Sequence, residues 1–379
     1  MIISLLMWLV FSITMAYLFV IGIITYGWFA LNKNIAGNAF ADDVSVSVVI
    51  AVRNESANIQ NILNLIVNQD YNSNFFDIII INDHSTDNTL QLINNYITEN
   101  TQEKIKVIEA IGNGKKNALR EGISISTAEL IVTTDGDCTV KPGWLKSIVN
   151  YYNSTNYKVI LGPVVYENEE SIIQKFFSLD FVSLVASGAG SCGAGLPLMG
   201  NGANIAFKRD AYIATMNEGN NEKYASGDDV FLIHNVTKEY GAKSIGFLRN
   251  SNAIVSTLPP QNIKQFIKQR SRWASKTTGY RLAWPITVAL TVFLFNLFLF
   301  AMLIGSFFFT WLLPIYFLII ITKFLIDLPL VFNFLSFTKK TNLSSLFFIL
   351  ELIYPAYIVI AAVASTIFSF EWKGRDKLK

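Results

Sequence analysis

The apolar positions of this chain fall into long unbroken runs near its two ends and short ones between them. Residues 1–32 carry no charged side chain, which exceeds the roughly 20 apolar residues needed to cross a bilayer. The run predicts a transmembrane helix, and Lys33 directly after it puts the following segment in the cytoplasm by the positive-inside tendency. A secretory signal is the competing reading, with Ala39-Phe40-Ala41 as its cleavage site. No basic region leads it, however, and the apolar stretch is about twice the usual length, so an anchor is expected. Residues 284–337 are long enough for two further crossings with a turn near Gly305 to Trp311, and Leu346 to Phe370 is a third. Lys339 and Lys340 fit a cytoplasmic loop between them. The basic tail, 371–379, then falls outside against the same charge tendency, unless Pro355 turns the last segment back as a re-entrant hairpin. Lys323 and Asp327 are spaced four apart inside an apolar run and share a helical face. They either line a polar path or form a neutralised pair packed between helices, and the second reading is preferred.

Between these runs, residues 44–280 read as water-soluble, with periods that alternate between strand and helix. Val44 to Val52 is Val-rich, as a buried strand is, and Ile59, Ile62, Leu63 and Ile66 then recur at helical spacing with Asn54 as a cap candidate. Phe76 to Asp83 is a second buried strand, followed by a helix for which Ser85 or Thr86 is the candidate cap. Residues 105–110, 115–126 and 129–135 repeat strand, helix, strand. This order predicts a parallel sheet with helices on both faces. Ligands of such sheets lie beyond the C-terminal strand ends. Asn54-Glu55, Asp83 and the pair Asp135/Asp137 all stand at those ends and are expected to converge. No glycine-rich GxGxxG turn follows the first strand, so a dinucleotide is disfavoured.

Composition sharpens the picture in two ways. Hydrophobic residues make up 52% and charged ones 15%, a membrane protein's balance rather than a soluble enzyme's. A net charge of +2 gives no electrostatic case for nucleic acid, while two cysteines and two histidines leave neither a disulfide framework nor a zinc cluster. Cys138 and Cys192 are read as unbridged thiols, and any metal must sit on oxygen. Residues two apart on a strand point to the same side. Asp135 and Asp137 can therefore reach one bound object, with Gly136 permitting close approach. Two hard oxygen ligands suit Mg²⁺ or Mn²⁺ completed by phosphate oxygens and water.

Five stretches in order resemble the family 2 glycosyltransferases with membrane-embedded C-termini, the group of cellulose, chitin and hyaluronan synthases and, more distantly, ceramide glucosyltransferase. They are Ile50 to Glu55, Ile81 to Asp87, Thr133 to Asp137, Ser226 to Asp229, and Gln269-Arg270-Ser271-Arg272-Trp273, the last fitting Gln-x-x-Arg-Trp. The resemblance implies a GT-A-like, Rossmann-like α/β domain over 44–258, between an N-terminal transmembrane helix at 1–32 and an amphipathic interfacial helix at 259–283. About three C-terminal transmembrane segments at 284–370 and the tail 371–379 complete the expected layout.

The resemblance also implies a chemistry: transfer of a sugar from a UDP-sugar, with inversion, by attack of an acceptor hydroxyl on the anomeric carbon. It implies donor contacts from Ala51, Arg53 and Glu55, with Asp83 accepting from the uracil imide N–H. Lys115, or Lys116 in its place, would stand near the diphosphate, with Asp135 facing the nucleotide and Asp137 holding the metal. Asp229 takes the general-base position with Asp228 as neighbour, where the family more often has Glu-Asp. Gln269, Arg272 and Trp273 share one helical face, suited to acceptor and phosphate or, on the bland reading, to lipid headgroups and an aromatic belt. Residues 199–212 resemble an acceptor-side segment, and 255–261 a loop closing over the nucleotide. His84 stands where the family usually has glycine, and Ala51 where many members have proline.

The expected acceptor is a growing cell-surface polysaccharide or, in competition, a lipid head group receiving one sugar. Membrane lipids are the expected surroundings, in a bacterial inner membrane with the catalytic domain cytoplasmic. A non-catalytic nucleotide-binding subunit of an export complex is the alternative of a different class.

Overall fold

The computed structural model describes residues 2–31, 43–101, 103–216, 227–275, 279–367, 371–372 and 375–376. Lys33, residues 39–41, Ser226 and most of the basic tail lie outside them. The chain forms two compact units, each assembled from separate stretches: 1–30, 169–198 and 259–370 in one, and 31–168, 199–258 and 371–379 in the other.

The second unit is a mixed α/β layer structure. Strands β1 (Val46–Val52), β2 (Phe76–Asn82), β3 (Ile105–Glu109) and β4 (Leu130–Thr133) pair in parallel in the order β3-β2-β1-β4. Val49 stands opposite Ile79 on one side and Thr133 on the other, so β1 is central. Its valines are buried on both faces, as a strand covered by helices requires. Helices α2 (Ile59–Val67), α3 (Thr89–Glu99) and α4 (Lys115–Ile125) supply the crossovers. Ile59, Ile62, Leu63 and Ile66 of α2 are fully buried, each contributing about 1.5–3 kcal/mol. A Cβ on Gly122 of α4 would fall 2.3 Å from Ile81, so that helix lies directly on the sheet.

The sheet continues with antiparallel β7 (Ile205–Lys208), then β5 (Val159–Leu161) and β8 (Ile245–Phe247). Strand β6 (Val164–Tyr166) pairs separately with β9 (Val255–Thr257), and α5 (Trp144–Asn153), α7 (Arg209–Met216) and α8 (Asp228–Tyr240) belong to the same unit.

Two helix starts differ from the caps that the sequence suggests. Asn58, not Asn54, precedes α2, because Asn54 is held in a left-handed conformation (φ 53°) and its side chain accepts from Thr86 N–H at 2.8 Å. Asn88 precedes α3, and Asp87 rather than Ser85 or Thr86 accepts from the Thr89 N–H at 3.0 Å.

The other unit is helical. Among the described residues, five of its helices are long and apolar enough to cross a membrane: α1 (Ile2–Ala30), α6 (Ile172–Gly193), α10 (Ala283–Gly305), α11 (Leu312–Thr338) and α12 (Phe347–Ile367). The short α9 (Ile263–Ala274) packs on α12. Sequence pattern predicts all but α6, which is clearly less apolar than the others. Lys175, Asp180 and several glycines dilute it. Those glycines have a use: a Cβ on Gly190 would lie 2.2 Å from the Ile24 carbonyl oxygen, and one on Gly27 2.0 Å from that of Gly190. Helices α1 and α6 thus meet backbone to backbone, the small-residue packing of membrane helices.

Charged groups in this unit are paired in its interior. Arg270 of α9 lies 2.7 Å from Asp180 of α6, both almost fully buried. Its guanidinium stacks 4.3 Å from the Trp273 ring centroid and 4.9 Å from that of Phe266. Lys323 donates to Asp327 at 2.8 Å and also pairs with Glu351 of α12, while the Tyr17 hydroxyl of α1 donates to Asp327 at 2.7 Å. The two residues that helical spacing places together are therefore a neutralised pair, joined by partners from two other helices. The re-entrant reading of the last segment does not hold: α12 runs unbroken through Pro355. Apolar helices tolerate proline where neighbours re-satisfy the freed backbone groups.

Candidate active site

The C-terminal ends of β1, β2 and β4 bring together the residues that sequence places there. Ala51 is still within β1, opposite Ile81 and half-buried. Arg53 is buried, and its Nη1 donates to the carbonyls of Asp83 at 2.8 Å and His84 at 2.7 Å, lacing β1 to β2. His84 has φ 51°, a left-handed conformation that favours glycine. Asp83 is fully buried and its Oδ1 accepts from Gly114 N–H at 3.1 Å, at the start of α4. Glu55 is buried against the β4 turn: a Cβ on Gly136 would lie 3.0 Å from the Glu55 side chain. A side chain between the two aspartates would crowd Glu55 and Val52, so glycine suits the close approach of β1's loop.

Lys115, the first residue of α4, forms an ion pair with Asp135. Burial alone would pull its ammonium down, but Asp135, Asp229 and Asp137 around it outweigh that and hold it above the ordinary lysine value. Four residues from three separate parts of the sequence therefore share one electrostatic site. Cys138 beside them is buried, and burial with the Asp135 and Asp137 charges pushes its thiol well up, so it is an inert thiol. Thr139 exchanges backbone hydrogen bonds with Ser256 at 2.8 and 2.9 Å, bringing the β9 segment alongside the acidic turn.

Asp229 sits in the first turn of α8, and its two oxygens accept from Val230 N–H at 2.9 Å and Gly202 N–H at 3.2 Å. The Gly202 carbonyl in turn accepts from Thr133 of β4 at 2.8 Å, so the 199–204 segment bridges the acidic turn and α8. Asp228 points to other partners: Lys116 Nζ lies 3.8 Å from its Oδ1. Tyr212 senses Asp228 too; burial first, then that carboxylate, pushes its phenol to about 12 against the opposing hydrogen bond from Arg120. Thr133 opens the Thr133 to Asp137 stretch and Gly202 and Tyr212 lie in the 199–212 segment, whereas Arg120 carries no motif. The amphipathic phase of α4, which puts Lys116 and Arg120 on one face, is the sequence signal for that residue.

Gln269, Arg272 and Trp273 lie on α9, in the helical unit. There Trp273 packs on Arg270, the residue between the motif's fixed positions. Gln269 and Arg272 are half-buried.

Among the described residues no group of three or more His, Cys, Asp or Glu is arranged to hold a metal ion. Asp135 and Asp137 are both partly exposed, offer oxygen only, and already neighbour a cation, the Lys115 ammonium. Such a donor pair fits a hard divalent ion that takes its remaining ligands from a diphosphate and water.

Comparison with known proteins gives a consistent result. The profile of Glycosyl transferase family 2 matches residues 47–181, and that of Glycosyl transferase family group 2 matches residues 130–360, more than half of the chain. Glycosyltransferase AglE of Haloferax volcanii is 29% identical over 135 residues, 35% of this chain and 44% of its own length. Poly-beta-1,6-N-acetyl-D-glucosamine synthase of Staphylococcus epidermidis is 29% identical over 143 residues, 37% of this chain and 33% of its own length. The chain thus covers less than half the length of either relative. In fold it is similar to the mannosyltransferase PcManGT of Pyrobaculum calidifontis, solved with GDP-Man and Mn²⁺, with a TM-score of 0.62, 15% identity, and coverage of 94% of this chain and 98% of that one.

Proposed function

The chain belongs to the family 2 glycosyltransferases, and on that footing we propose that its acidic cleft transfers a sugar, with inversion, from a UDP-sugar to a growing cell-surface polysaccharide. The observation that carries this reading is the gathering of Asp135, Asp137 and Asp229 around Lys115 beyond the strand ends.

Asp83, buried at the end of β2, accepts from the uracil imide N–H, while Ala51, Arg53 and Glu55 line the donor side. Asp229 takes the proton from the acceptor hydroxyl. That oxygen then bonds to the anomeric carbon on the face opposite the diphosphate, and the carbon–oxygen bond to the diphosphate breaks with its electron pair leaving on UDP. Negative charge grows on the departing diphosphate, and Lys115 is placed to stabilise it. Asp135 and Asp137 would hold Mg²⁺ or Mn²⁺, which supplies Lewis-acid neutralisation of the same charge when bound. The mannosyltransferase of the same fold, solved with a nucleotide-sugar and Mn²⁺, supports a divalent ion in this role. Gln269, Arg272 and Trp273 are assigned to acceptor and phosphate.

The apolar helices α1, α10, α11 and α12 support an integral membrane protein, and on this reading the α/β unit lies on the cytoplasmic side of a bacterial inner membrane; α6, which joins two stretches of that one unit, then does not cross. A lipid acceptor receiving a single sugar is the second reading, favoured by the small number of candidate crossings, which gives little material for a wide polymer channel.

The test is direct. Purified protein is incubated with labelled UDP-sugars and membranes, and polymer is separated from lipid-soluble product. Asp137→Asn is expected to lose about 100-fold or more of the transfer rate while unfolding at the wild-type temperature. Unchanged transfer removes the metal role, and UDP binding without UDP release in the presence of acceptor points instead to a non-catalytic subunit.

A further inference from the structure

Helix α4 opens with two lysines, Lys115 and Lys116. Cations at a helix N-terminus oppose the macrodipole, so this start is unfavourable unless something offsets it. Helix α8 opens with two aspartates, Asp228 and Asp229, which is the favourable arrangement. The partners interleave. Lys115 is paired with Asp135 and lies in the field of Asp229 and Asp137, whereas Lys116 is 3.8 Å from Asp228.

The two carboxylates of α8 therefore stand in different surroundings. Asp229 is held by backbone N–H groups of Gly202 and Val230 and faces Lys115. Asp228 is engaged from the side by Lys116 and neighbours the Tyr212 hydroxyl, which Arg120 hydrogen-bonds. Lys116 is itself largely covered, with 11% of its side chain exposed, and its ammonium lies 6.0 Å from the Phe231 ring centroid. A buried lysine loses considerable rotamer freedom, so its position is defined.

Resting on the reading of Asp229 as the base, we propose that Lys116 is a positioning residue for the transfer reaction. Through its tie to Asp228 it fixes the first turn of α8, so that Asp229 alone is presented to the acceptor hydroxyl. It also balances a negative charge that would otherwise stand beside the departing diphosphate. Lys116 touches neither donor nor acceptor in this role. The two lysines divide the work: Lys115 serves the acidic turn after β4, and Lys116 serves the start of α8.

The test uses the full-length protein in detergent with UDP-sugar and acceptor membranes. Lys116→Met is expected to lower kcat by about 10- to 100-fold, the scale of a misplaced catalytic group. The donor KM and the affinity for UDP, measured by calorimetry, stay within about twofold, since uniform binding is untouched. Lys116→Arg restores most of the rate. Asp228→Asn, which cuts the same tie from the other end, also lowers kcat, and the double variant is no slower than Lys116→Met alone, because both changes break one interaction.

A Lys116→Met variant that raises the donor KM with kcat intact overturns the proposal and makes Lys116 a diphosphate ligand. Losses that multiply in the double variant overturn it as well. Should Lys116→Met fail to fold, an unaltered kcat in Asp228→Asn overturns the proposal by itself, and a lowered kcat there sustains it. An active Asp229→Asn beside an inactive Asp228→Asn is a separate result: it removes the base assignment itself.

Discussion

Asp87 shows how one side chain carries local structure in this fold. Its Oδ1 accepts from the Thr89 N–H at 3.0 Å and its Oδ2 from the Ser56 N–H at 3.1 Å, which ties the start of α3 to the loop after β1. Burial is the largest single influence and works against the charge, but the Thr89 hydroxyl, Ser56 and the backbone donors together outweigh it and hold the carboxyl down at about 2. The folded value lies below the roughly 3.9 of an unfolded aspartate, so the stabilisation is full above about pH 4. It is lost as pH falls through 2. Asp87→Asn is therefore expected to lower the thermal midpoint at neutral pH and to flatten its decline between about pH 4 and 2, read by thermal melts across that range. The motif Ile81 to Asp87 is visible in the sequence, yet the split of labour within it is not. Asp83 turns inward to Gly114 and Asp87 turns to the surface loop, a difference that depends on which backbone groups each one meets.

At the level of elements, the buried Lys323–Asp327–Glu351 cluster joins α11 to α12, and Tyr17 adds α1. Removing one partner from such a cluster leaves an uncompensated buried charge. Lys323→Met is expected to destabilise the helical unit by about 3–5 kcal/mol, seen as a lowered denaturation midpoint in detergent. Replacing all three charged residues with apolar ones of similar volume recovers most of that loss. Spacing in the sequence puts Lys323 and Asp327 on one face. Glu351 and Tyr17 are 28 and 310 residues from their partners, and no local pattern can reach that far. Helix α6 is hidden for a related reason. Its glycines lower its hydropathy while allowing backbone contact with α1, so the feature that makes it pack is the one that conceals it.

For the whole molecule, the proposed use of a cytoplasmic UDP-sugar predicts a single orientation. Protease added to inside-out membrane vesicles is expected to cleave the α/β unit, while right-side-out vesicles protect it; the reverse pattern overturns the orientation. The alternation of strands and helices from Val44 to Asp135, the acidic residues at the strand ends and three of the C-terminal apolar helices are all legible in the sequence. They depend on local periodicity and on the general rule that a parallel sheet binds ligands past its strand ends. What only tertiary structure decides is pairing over distance. It places Lys115 among Asp135, Asp137 and Asp229, gives Lys116 to Asp228, and hands Trp273 to Arg270. It also divides a continuous chain into two units whose stretches interleave. Local propensity acts over a few residues, whereas electrostatic and packing partners are chosen by whatever the folded backbone brings within about 4 Å.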